Sequence, residues 1–172
     1  DNSGRHLLEN YSDVFRLANN FNEECLLSWH WSASSDAWTC QNALQSDLAI
    51  TGFDEFGDCW GGYNGPSVDL QDAFGENALS PTRYNGDSRR KATMMTCGDV
   101  YEYFWQDKGG FNYINFIYDT DNLGGPGTYQ SATGANEVKQ LYGNANDHLT
   151  ATGVSASSQH SQLSTHLLRL SD

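Results

Sequence analysis

Cationic side chains are scarce in this sequence. The 172 residues hold 9 Lys and Arg against 22 Asp and Glu, for a formal net charge of −13. A nucleic-acid binder needs a cationic face to displace counterions, and an anionic membrane surface attracts basic segments. The composition argues against both. Aliphatic residues are also few. Leu, Ile, Val and Phe together number 32, or 19% of the chain, a level that with high net charge borders on disorder. Disordered chains are poor in aromatics, however, and here 5 Trp and 9 Tyr are added to 8 Phe. The balance predicts a folded, loop-rich chain in which rings take over part of the work of a core.

Other absences remove whole mechanisms. The cysteines at 25, 40, 59 and 97 lack the two-residue spacing of zinc knuckles and redox motifs. They are expected to be buried thiols, and their spacing leaves three disulfide pairings open. No serine sits in a glycine-flanked nucleophile elbow, no glycine loop precedes a helical lysine to cradle phosphate, and His6, His30, His148, His160 and His166 are scattered. Neither a transmembrane run nor a signal peptide is visible. The chain opens at Asp1 and is expected to belong to something longer.

Leu7, Leu8, Tyr11, Val14, Phe15 and Ala18 recur at helical spacing, with Ser3 placed as a cap. Asn19, Asn20 and Asn22 end that pattern, and the alternation through Leu27, Trp29 and Trp31 predicts a strand. Trp29 and Trp31 are expected to serve as core substitutes. From Trp38 to Asn64 no period persists, which predicts a long structured loop. Pro66, Ser67, Asp69 and Asp72 then favour a helix start, with Leu70, Ala73 and Phe74 as its apolar side and Gly75 as its end. Ala92–Met95 is expected as a strand, and Gly98 with Asp99 as a turn. Tyr101, Tyr103 and Trp105 alternate with Glu102, Phe104 and Gln106 in strand fashion, and Phe111–Tyr118 is again strand-like. Glu137–Tyr142 suggests one or two helical turns.

Three constellations could carry chemistry. Asp54, Glu55 and Asp58 beside Trp60 could supply the two carboxylates of a glycosidase, but no feature of the sequence buries one selectively to raise its pKa, and a solvated acidic loop is the better reading. Asp119, Asp121 and Gly124 suggest a calcium loop, yet Leu123 and Gln130 stand where the helix-loop-helix pattern wants oxygen ligands; a turn accounts for them. The aromatics remain. Trp38, Trp60 and Tyr63, with Asn64 as polar partner, lie in a glycine- and asparagine-rich loop. Flat rings pack against sugar faces while amides bind hydroxyls.

Gly61–Ser67 leading into Asp69–Phe74 resembles the glycine–proline–helix segment of SusD/RagB-like proteins. Asp87–Lys91, entering a strand at Ala92 and Thr93, resembles that family's aspartate–x–arginine segment. Tyr11–Phe15 followed by Asn19–Leu27 is similar to its helix, asparagine-rich turn and strand. Thr165–Asp172 resembles a run that begins a later helix, ahead of an alanine–glutamate–alanine signature. These motifs stand in the family's order. The resemblance implies a mainly α SusD-like fold with tetratricopeptide-like repeats in the full protein. Residues 1–172 would be a single internal segment, loop-rich α+β with short helices and short strands, lacking the N-terminal lipoprotein region and most helical repeats. It implies an outer-membrane, cell-surface, lipid-anchored glycan or nutrient binder that is not an enzyme, has no catalytic residues and no required cofactor. Such a protein delivers oligosaccharide to a SusC-like, TonB-dependent transporter. The family's ligand site is variable, so Trp38, Trp60, Tyr63 and Asn64 rest on the residues alone. Asp87 and Arg89 match family segments and are expected to be structural. The alternatives are a secreted glycoside hydrolase and a structural or adhesion subunit.

Overall fold

The structure is a computed structural model that describes residues 3–31, 48, 50, 64–75, 87–118, 133–139, 141, 143 and 165–170. Among these, short strands and short helices alternate in an α+β arrangement, as expected for the segment. The strands are β1 (Cys25–Trp29), β2 (Met94–Thr96), β3 (Val100–Tyr101), β4 (Phe111–Asn112), β5 (Ala135–Glu137) and β6 (Thr165–Arg169). The α-helices are α1 (Val68–Ala73), α2 (Arg89–Thr93) and α3 (Tyr113–Tyr118), and 3-10 turns cover Tyr11–Phe15, Leu17–Asn19 and Gln106–Lys108. The strands form antiparallel pairs, β1 with β6, β2 with β5 and β3 with β4.

The core confirms the compositional reading. Its buried cluster is Ile50, Met95, Tyr101, Phe104, Phe111, Tyr113, Phe116, Val138 and Leu141. Five of these nine, counted among the described residues, are aromatic. Edge-to-face and tilted contacts join them, with the Phe111 ring 5.4 Å from Phe116 and the Trp105 ring 4.9 Å from Phe111. Phenylalanine and tyrosine thus do the packing that few aliphatics are present to do. Trp29 does not join them. It is 62% exposed and stacks on Trp31 at 6.1 Å, so the expectation of a core role for Trp29 is corrected.

Several expected elements change type. The helix expected from Leu7 to Ala18 is interrupted: Asn10 and Arg16 have extended backbones, and 3-10 turns replace it. Tertiary hydrogen bonds outcompete helix propensity there. Arg5 Nη1 donates to the Cys25 carbonyl at 3.0 Å, and the Leu8 N–H donates to Glu24 Oε2 at 3.1 Å. Ser3 accepts the Arg5 N–H at 3.2 Å and caps no helix. The apolar run after Phe111 becomes strand only at its start. Asn112 Oδ1 accepts the N–H groups of Ile114 and Asn115, both at 3.1 Å, and so caps α3. The alternation through Trp105 also ends early, because Trp105 takes a left-handed backbone (φ 54°) and Gly109 and Gly110 follow with φ 85° and 104°. Ala92 and Thr93 fall in α2, with β2 beginning at Met94. Glu137 closes β5, pairing with Met94, and no helix follows it among the described residues. Where the resemblance implies a helix onset, Thr165–Arg169 is a strand, β6, because this run finds β1 as a hydrogen-bonding partner.

The turn at Gly98 and Asp99 and the bounds of the helix after Ser67 are as expected, but its expected apolar side is not what is buried: Leu70 and Ala73 are exposed, Phe74 is half-buried, and Gln71 turns inward to bond the Pro66 and Thr133 carbonyls. Ser67 Oγ accepts the Leu70 N–H at 3.1 Å, and Gly75 has φ 75°.

Candidate functional site

Of the four proposed ligand residues, Trp38, Trp60 and Tyr63 lie outside the described residues, as do Asp54, Glu55 and Asp58 of the glycosidase alternative and Asp119, Asp121 and Gly124 of the calcium alternative. Asn64 is described and exposed. It heads a firmly seated segment. A Cβ at Gly65 would stand 3.0 Å from the Ala135 carbonyl oxygen, so the absence of a side chain lets this backbone lie against the start of β5. Thr133 Oγ1 donates to the Pro66 carbonyl at 2.7 Å, and buried Gln71 donates from Nε2 to the Thr133 carbonyl at 3.1 Å. The Ser67 cap then fixes α1. Asn64 thus directly precedes a segment held against β5 and Thr133 by these contacts.

The aspartate–x–arginine motif divides into two roles. Asp87 and Arg89 form an exposed two-pronged pair, with Arg89 Nε and Nη2 donating at 2.9 and 2.6 Å. Those hydrogen bonds hold the Asp87 carboxyl down at about 2. The neighbour that the motif does not mark, Arg90, is 5% exposed and meets buried Asp99. Arg90 Nη2 donates to Asp99 Oδ1 at 2.9 Å, Nη1 donates to Oδ2, and the Thr96 N–H completes Oδ2 at 2.8 Å. This pair locks α2 to the turn between β2 and β3. It is structural, since every oxygen of Asp99 is engaged.

The structure also assembles a cluster that the scattered histidines did not announce. His166 on β6 lies opposite Ser28 on β1. Its Nε2 sits 2.9 Å from the Val14 carbonyl, which only accepts, so Nε2 carries the proton. The neutral ring then accepts at Nδ1 from Ser28 Oγ at 2.8 Å and from the thiol of Cys25 at 3.0 Å. Burial pushes the imidazole pKa below its usual value, which the Val14 bond only partly offsets. A histidine held beside a buried, free thiol ties three segments together, the turn at Val14, β1 and β6.

A cleft of about 490 Å³ opens beside the first 3-10 turn, lined among others by Tyr11, Arg16 and Tyr103. Its residues are spread over more than ninety positions of the chain, which is why no local motif revealed it. Arg16 lies over the Tyr103 ring at 3.5 Å, and burial lowers its guanidinium pKa from the ordinary value.

No protein-family model matches the chain. A SusD-like protein of Bacteroides ovatus is 38% identical over 114 residues, which are 66% of this chain and 19% of that protein. The chain thus spans about a fifth of the length of this curated relative. A crystal structure of a protein with xylogluco-oligosaccharide matches at 29% identity and a TM-score of 0.64, covering 99% of this chain and 29% of the other. A second crystal structure matches at 28% identity with the same TM-score, covering 99% of this chain and 28% of the other. The motifs in the family's order and this curated relative make the chain similar to a stretch of SusD-like proteins, and both solved structures share its fold.

Proposed function

We propose that the protein captures oligosaccharide at the cell surface without cleaving it and hands it to a SusC-like, TonB-dependent outer-membrane transporter. The observation that carries this reading is the likeness, over nearly the whole chain, to a structure bound to xylogluco-oligosaccharide. In this reading the protein is an outer-membrane lipoprotein, anchored by lipid outside this segment and completed by tetratricopeptide-like helical repeats. Trp38, Trp60 and Tyr63 supply ring faces and Asn64 a hydroxyl partner. Capture combines buried ring area with a small number of directed hydrogen bonds and needs no cofactor.

The test is electrophoresis of the intact protein through gels that contain xyloglucan or other glycans. Retardation without sugar release is expected, together with copurification of a barrel protein from outer membranes. Release of sugar by the purified protein, abolished by Glu55→Gln, would establish the glycosidase alternative instead.

A further inference from the structure

Among the described residues, the cleft beside the first 3-10 turn brings together a specific chemistry. Two cations line it: Arg16, over the Tyr103 ring at 3.5 Å, and Lys91, 4.9 Å from the centroid of Tyr101. Among the described residues neither lies within ion-pair distance of a carboxylate. The Asp13 carboxylate favours the charged form of Arg16 only from farther away. Stacking engages the face of a guanidinium and leaves its N–H groups, which lie in the plane, for other acceptors. The carboxylates of Glu9 and Glu102 are exposed on the same cleft. Tyr11 adds a ring that is already braced edge-on by Phe15 at 5.2 Å. The volume of about 490 Å³ falls in the range of small-ligand sites.

An anionic ligand would be opposed by Glu9 and Glu102, and a cationic one by Arg16 and Lys91. A ligand dense in hydroxyls satisfies both sets, because each hydroxyl donates to a carboxylate and accepts from a cation. We infer that this cleft is a second subsite for a neutral oligosaccharide, formed by Tyr11, Arg16 and Tyr103 with Glu9, Lys91 and Glu102. The inference rests on the glycan-binding reading and extends it to a site away from the loop aromatics in sequence.

The test is calorimetric titration of the intact protein with xylogluco-oligosaccharide, and with oligogalacturonate as the anionic comparison. The exposed pair Glu9→Ala/Glu102→Ala is expected to weaken binding of the neutral probe about tenfold. Arg16→Met, which keeps an apolar stem over Tyr103, is expected to do the same. Neutral-probe binding unchanged in both cleft variants, while Trp60→Ala still weakens it, would overturn the subsite and leave the glycan-binding reading standing. Tighter binding of oligogalacturonate than of the neutral probe would overturn the assigned ligand class. No binding of any oligosaccharide by the unaltered protein would overturn both readings together.

Discussion

Arg90 and Asp99 meet in a buried, two-pronged ion pair that joins α2 to the turn following β2. Both residues are almost fully buried, so each charge depends on the other for solvation. Removing one partner strands a charge, whereas removing both strands none. Arg90→Met or Asp99→Asn alone is expected to cost about 3–5 kcal/mol. The Arg90→Met/Asp99→Asn double variant, in which the amide oxygen still accepts the Thr96 N–H, should recover much of that loss. Chemical denaturation of the intact protein measures it, and a double variant less stable than either single one would contradict the pairing.

Much of this region was legible in the sequence, and the reason is local. Ser67, Pro66 and Gly75 specify the start and end of α1 through their own backbone preferences, and Gly98 does the same for the turn before β3. The aromatic core was legible from composition, because a chain with few aliphatics and many rings has little else to bury. What failed was decided by partners far away in sequence. The run from Thr165 becomes a strand because β1 is there to pair with it, and the helical spacing of Leu7–Ala18 yields to hydrogen bonds with Glu24 and Cys25. The apolar run after Phe111 is too short for its period to separate strand from helix. Rings beside amides suggested sugar, but Trp38, Trp60 and Tyr63 lie outside the described residues, and the cleft around Arg16 joins residues that no spacing rule connects.

His166 gives the fold a pH dependence of definite sign. Unfolded, its imidazole titrates near about 6.5; folded, burial depresses that value. As pH falls below about 6.5 the unfolded chain takes up a proton that the folded chain refuses, so stability drops. The full contribution is present above that pH. Glu137, whose carboxyl burial raises above its usual value, acts in the opposite direction at lower pH. Denaturation midpoints measured from neutral pH down to pH about 5.5 should fall, and His166→Gln should flatten the slope. Equal slopes in the two proteins would contradict the assignment.

Gly65→Ala places a methyl 3.0 Å from the Ala135 carbonyl oxygen, against backbone that cannot swing aside. The expected cost is about 1–3 kcal/mol. Because Asn64 is adjacent, oligosaccharide affinity should fall in the same variant even where the protein remains folded. A thermal midpoint and a binding isotherm both unchanged would show that the close approach is not needed.

Ser67→Ala removes the one side-chain cap of α1 and is expected to cost about 1 kcal/mol, while Ser67→Asp should be nearly neutral. Thermal melts of the two variants distinguish a capping role from simple loss of a hydroxyl, which would make them equally destabilising.

The proposed ligand site stands on the loop rings. Retention of the intact protein in xyloglucan gels, compared among the unaltered protein, Trp38→Ala, Trp60→Ala and Tyr63→Ala, tests it most directly. Clear retardation of the unaltered protein is expected, with at least one of the ring variants migrating faster by a loss of about 1–3 kcal/mol in affinity. Equal migration of all four proteins would contradict the assignment of the ligand to this loop.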